Sequence, residues 1–184
     1  MLMRGFSLLE VLIAMAIGSI LSLGASRFLP GLQRGVLAQM QQQTLEDDLW
    51  QALFTIGKHL QRAGYCASER CGGKAVETSR QGQCVIIRWD GDSNGVWQTT
   101  PADAADSIGF RLQSGVLETL RGAVSCEGKG WDKMTDPAMV TVTDFQVTRH
   151  ALSGFPPELT IMLAITGKRG GMAQAAYSVT GYNL

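Results

Sequence analysis

Gly5-Phe6-Ser7-Leu8-Leu9-Glu10 is the stretch on which the reading of this chain turns. One basic residue, Arg4, precedes it. The apolar run that follows holds a single acid, Glu10, and no further charge until Arg27. A charged carboxyl inside a membrane-spanning segment costs about 2.5 to 3.5 kcal/mol on insertion scales. A chain that keeps one there needs a partner for it. The placement implies a membrane anchor that assembles side by side with others.

Two plainer readings compete. Val11 to Ala25 would pass for the apolar core of a secretory signal. Cleavage after Leu23-Gly24-Ala25 would, however, place a bulky residue at minus three, and Glu10 is out of place in such a core. A simple transmembrane anchor is the other. Val11 to Ser26 is short of the roughly 20 residues a span requires. Adding Phe6 to Leu9 makes it long enough, with Glu10 inside. Arg4 on one side and Arg27 and Arg34 on the other give little orientation signal.

Beyond the anchor, the chain of 184 residues leaves room for one domain. Taking away about 60 residues of helix and leader leaves roughly 120, enough for a modest core. A formal net charge of zero implies no general attraction to nucleic acid, and none is expected as a partner. The four cysteines, Cys66, Cys71, Cys84 and Cys126, all follow the anchor. An even set in that position reads as two disulfides formed in an oxidising compartment. Zinc is the alternative, but the spacings match no common finger or ribbon and no histidine lies near. Three pairings are open. Cys66 with Cys71, closing a small loop, and Cys84 with Cys126, joining a strand to a later loop, are favoured.

Ser7 to about Leu60 reads as one long helix, interrupted by Pro30-Gly31, where a kink is expected. Past that point Leu45, Leu49, Leu53, Ile56 and Leu60 form an apolar stripe suited to lie on a sheet. Glu46, Asp47 and Asp48 fall off the stripe. Gly64 is the expected stop. Residues 65 to 83 read as loop. Cys84 to Trp89 reads as a strand, and Asp90 to Gly95 as a turn. Ile108 to Leu112 and Val116 to Leu120 form a hairpin. Met139 to Arg149 alternates with a register change near Asp144, the mark of a bulge. Leu159 to Ile165 and Ala175 to Thr180 complete an antiparallel sheet with one face on the helix. The fold class is α+β.

Asp90, Asp92 and Asn94, with Gly95 next, match the opening of a calcium loop. Position twelve is Pro101 rather than the required acid, and only Asp103 or Asp106 could substitute. A polar turn, where Asp, Asn and Gly are favoured for backbone reasons, accounts for the same residues. His59 and His150 have no neighbours that suggest a catalytic triad or a metal site. Trp50, Trp89, Trp97 and Trp131 read as core or turn anchors rather than a base-stacking platform. Lys168-Arg169-Gly170-Gly171 reads as a solvated hairpin end. No residue set here points to catalysis, and no cofactor other than calcium is implied.

The opening block resembles the class III signal of type IV prepilins: a short basic leader ending in Gly, then Phe, then Glu at the fifth mature position. The strand and helix layout resembles the pilin fold, a long N-terminal helix packed on an antiparallel sheet. His59 to Cys66, Leu117 to Gly122 and Gly128 to Asp132 resemble segments of minor pilins related to the J-type pseudopilins of type II secretion. The resemblance implies that a prepilin peptidase cuts between Gly5 and Phe6 and methylates Phe6. Residues 1–5 are then the leader, 6–29 the transmembrane assembly helix, and 30–184 a periplasmic head that includes the amphipathic half of the helix. Glu10 is implied to attract the amine of Phe6 on an adjacent pilin. The implied partners are the peptidase, other minor pilins and the major pilin. The implied location is the inner membrane, then the pilus tip, where the chain primes or caps assembly. A secretion pseudopilus subunit, or a tethered periplasmic binding module that would need neither Glu10 nor the Gly5-Phe6 junction, are the alternatives.

Overall fold

A computed structural model of the protein describes residues 7–100 and 105–184. Helix α1 spans Leu8–Gln61. The chain divides into two compact units, one ending at Gln41 and the other running Gln42–Leu184.

In the first unit every described residue is exposed. The helix is long and apolar enough to cross a membrane, with a mean hydropathy of 2.1 in its most apolar window. A helix apolar all round cannot bury itself in water and needs lipid or other helices as its surroundings. Two of its hydroxyls bond within the helix: Ser19 Oγ donates to the Met15 carbonyl (2.7 Å) and Ser26 Oγ to that of Leu23 (3.0 Å). That arrangement suits hydrocarbon, where an unpaired polar group is costly. The interruption expected at Pro30-Gly31 is absent, and helical conformation continues through Pro30. Proline removes one N–H from the ladder, and the bonds on either side suffice to carry the helix past it.

In the second unit the helix buries Leu45, Leu49, Ala52, Leu53, Ile56 and Leu60. Glu46, Asp47 and Asp48 are exposed, as their off-stripe positions predict. The strands are β1 (Val76–Ser79), β2 (Cys84–Arg88), β3 (Ser107–Gln113), β4 (Val116–Arg121), β5 (Asp132–Lys133), β6 (Val140–Leu152), β7 (Phe155–Gly167) and β8 (Met172–Thr180). All pairings are antiparallel. The strands divide into two sheets, ordered β1-β2-β3-β4-β5 and β6-β7-β8, rather than gathering into one. Residues 65–83 are not all loop. They contain β1, which pairs Val76 with Ile87 and Ser79 with Cys84, and a short 3-10 turn at Arg80–Gly82. β1 has only four residues and an exposed outer face, so it carries little apolar alternation to announce it.

The expected bulge lies between Val142 and Asp144, and a second register shift falls between His150 and Leu152. One core joins the helix stripe to both sheets: Val85, Ile87, Phe110 and Leu117 from the first, Phe145, Ile161, Leu163 and Val179 from the second. Gly57 lets the helix lie close on β8, because a Cβ there would sit 2.4 Å from the Tyr177 ring. Trp89 and Trp131 pack on buried clusters, and Trp97 donates to the Tyr65 carbonyl (3.2 Å). Trp50 differs from expectation. It is 38% exposed and stacks on Phe54 rather than entering the core.

Candidate functional site

Glu10 lies in the first turn of α1, where the Glu10 and Val11 amides donate to the Ser7 carbonyl (3.0 and 3.3 Å). A negative charge at this end complements the helix dipole. Glu10 has no ion-pair partner among the described residues. Gly5 and Phe6, the expected cleavage pair, lie outside the described residues.

In the head, Cys66 is bonded to Cys71 and Cys84 to Cys126, with Cα separations of 6.1 and 6.2 Å. The second bridge ties β2 to the loop after β4 and spans 42 residues of sequence. Its sulfurs pack with Ile86 and Ala123 in a small second core. With every cysteine bonded, no thiol is available as a nucleophile or metal ligand.

Asp90 and Asp92 come together with Asp106, one oxygen of each lying within 4.8 Å of the others. The oxygens are already engaged. Asp90 accepts the amides of Ala67 (3.0 Å), Asn94 (3.0 Å) and Gly95 (2.8 Å). Asp106 accepts those of Gly91 (2.9 Å) and Gln98 (3.0 Å). Asp92 accepts the Asn94 amide and side chain, while Asn94 Oδ1 accepts the Val96 amide. Loss of water raises the Asp90 pKa, but the amides of Ala67, Gly95 and Asn94 outweigh that and hold it below the usual carboxylate range. Two buried carboxylates thus hold the loop closed and pin it to the Tyr65–Ala67 segment. Pro101 and Asp103 lie outside the described residues.

A cleft of about 440 Å3 opens beside this loop, lined by His59 and Arg62 of α1, Trp89, Asp92, Asp106 and Arg121 of β4, among others. The Arg62 guanidinium lies 3.9 Å from the centre of the Trp89 ring and donates to His59 Nδ1. Burial, then the charges of Arg62 and Lys58, push the His59 pKa down to about 4, so the ring is a neutral acceptor at pH 7. His150 is exposed on β6 beside Thr148 and belongs to no metal-ligating cluster among the described residues.

Sequence reasoning passed over Arg62 and Arg111. Arg111 is 8% exposed, donates from Nε to Glu118 (2.8 Å) and from Nη1 to the Cys126 carbonyl (2.9 Å), and stacks on Trp131. The pair was readable, since residues 111 and 118 face each other in the β3–β4 hairpin. Nothing local links Arg62 to Trp89, which are brought together only by packing of the helix.

Comparison with known proteins matches the N-terminal segment and the rest of the chain to two family models. Residues 2–26 match the prokaryotic N-terminal methylation motif. Residues 38–182 match the family model described as prepilin peptidase-dependent protein B. The protein of that name from Escherichia coli (strain K12) is 55% identical over 183 residues, covering 98% of this chain and 97% of its own. No solved structure matches. The anchor motif and the head thus agree, along nearly the full length, that this chain belongs to the prepilin peptidase-dependent protein B family, whose members are pilin-like structural proteins.

Proposed function

We propose that this chain is a minor pilin that primes or caps a type IV pilus. A prepilin peptidase cuts between Gly5 and Phe6 and methylates Phe6. The helix holds the chain in the inner membrane with its head in the periplasm. Assembly then carries it to the pilus tip beside other minor pilins and the major pilin. The observation that carries this reading is Glu10: an acid with no ion-pair partner among the described residues, on an exposed stretch of helix that holds no other charge before Arg27. In hydrocarbon the carboxylate and the amine of a neighbouring Phe6 offset part of each other's desolvation cost. The pair also sets the axial register, since one offset alone brings the charges together. Before cleavage the amine lies five residues further along the chain, so cutting licenses assembly.

The test has two readouts. Mass spectrometry of the mature N-terminus should find methylated Phe6; a start at Ser26 would mean an ordinary signal peptide. Glu10→Leu should leave insertion and the head's melting temperature unchanged while lowering the number of pili counted by electron microscopy. Wild-type piliation in that strain would remove the physical basis of the priming model.

A further inference from the structure

The cleft between α1, Trp89 and Arg121 holds two arginines that form no close ion pair within the fold. Among the described residues, neither Arg62 nor Arg121 has an acidic partner. Arg62 Nε is buried and makes no hydrogen bond there. An unmet donor on a guanidinium is costly; Nε itself is enclosed, so an acceptor from outside meets the part of the guanidinium that lines the cleft. The like charge of Arg121 acts on Arg62, which desolvation has already made a weaker base. The two acids lining the cleft make no direct ion pair with these arginines. Asp106 is held by the Gly91 and Gln98 amides, and Asp92 by Asn94.

We propose that this cleft is a socket for a single carboxylate side chain supplied by a neighbouring protein subunit, received by Arg62 and Arg121. A guanidinium matches a carboxylate in plane and in donor spacing, and Trp89 holds that of Arg62 in place by stacking. Asp92 and Asp106 in the same walls offset the two arginines, so the cleft has little net field to repay the larger desolvation cost of a doubly charged phosphate. An acidic loop of another pilin-type subunit fits these requirements. The neighbouring subunit rests on the assembly reading above; the chemistry of the socket does not.

The experiment uses the full-length protein in detergent micelles and follows the arginine Nε–H signals by NMR. The probes are N-acetylglutamate amide, its neutral glutamine counterpart, inorganic phosphate and sodium chloride at matched ionic strength. The Arg62 signal should shift saturably with the glutamate probe, less with phosphate, and not with the glutamine probe or chloride. Arg121→Gln, an exposed change that spares the core, should weaken that binding about tenfold, as expected for one lost charged hydrogen bond. Equal shifts with chloride, or unchanged binding in the Arg121→Gln protein, would overturn the proposal. So would binding that emerges only when Asp103 is replaced by Asn, because the socket would then be served by this chain's own acid. Since no assembly is measured, a failed socket and a failed pilus assignment are separate results.

Discussion

The two parts of helix α1 both carry leucine and isoleucine and put them to opposite uses. In the first unit Leu12, Ile17, Leu21 and Leu29 are all more than half exposed. In the second Leu49, Leu53, Ile56 and Leu60 are essentially inaccessible. The first part is the more apolar, and the arrangement of its apolar residues differs as well. Residues 8–26 are apolar round the whole circumference, so no rotation of the helix can hide them from water. Beyond residue 41 the leucines recur on one face, with Glu46, Asp47 and Asp48 off it. A stripe can be buried against a sheet, whereas a cylinder requires a different solvent.

Single leucine truncations test this difference most strongly. Leu53→Ala should destabilise the head by about 2 to 5 kcal/mol through lost burial and the cavity left behind. Leu21→Ala should leave the melting midpoint of the head where it was. Comparable losses from both changes would mean that the first unit contributes to the head's stability.

Next in size is the Cys84–Cys126 bridge. Replacing both residues by serine should cost about 2 to 4 kcal/mol, as expected for a link that closes a long loop. Peptide mapping under non-reducing conditions checks the pairing, and chemical denaturation measures the loss. Four free thiols in periplasmic material would contradict the bridged head.

A pH titration of head stability gives a smaller effect. The folded pKa of His59, about 4, lies below the ordinary 6.5, so at intermediate pH the unfolded chain binds the proton more readily. Stability present above pH 6.5 should therefore decline as pH falls towards 4. Asp90 adds to the decline at still lower pH, because its folded pKa is depressed and its contribution is lost as the carboxylate protonates. His59→Gln should flatten the first part of the curve; an identical curve would remove His59 as its cause.

The smallest expected effect is that of calcium. The Asp90 and Asp106 oxygens are occupied by backbone amides, so millimolar calcium should leave the melting midpoint unchanged. A calcium-dependent rise that Asp92→Ala abolishes would instead assign the loop to the ion through mass action.

Local pattern was enough for the long helix, its apolar stripe, the Gly115 hairpin and the bulge near Asp144. Each depends on residues within a few positions of one another, and backbone sterics and side-chain periodicity act at that range. The Glu10 motif was legible for the same reason. Division of the strands into two sheets was not, since sheet membership depends on which distant edges meet and alternation within a strand does not record that. β1 was missed because a four-residue edge strand is defined by its partner, Cys84–Ile87, more than by its own side chains. Asp106 emerged as a clamp on the Gly91 and Gln98 amides only once β3 was placed beside β2. The union of His59, Arg62, Trp89 and Arg121 needed the helix packed beside the first sheet. These contacts join residues far apart in sequence, so the tertiary structure alone decided them.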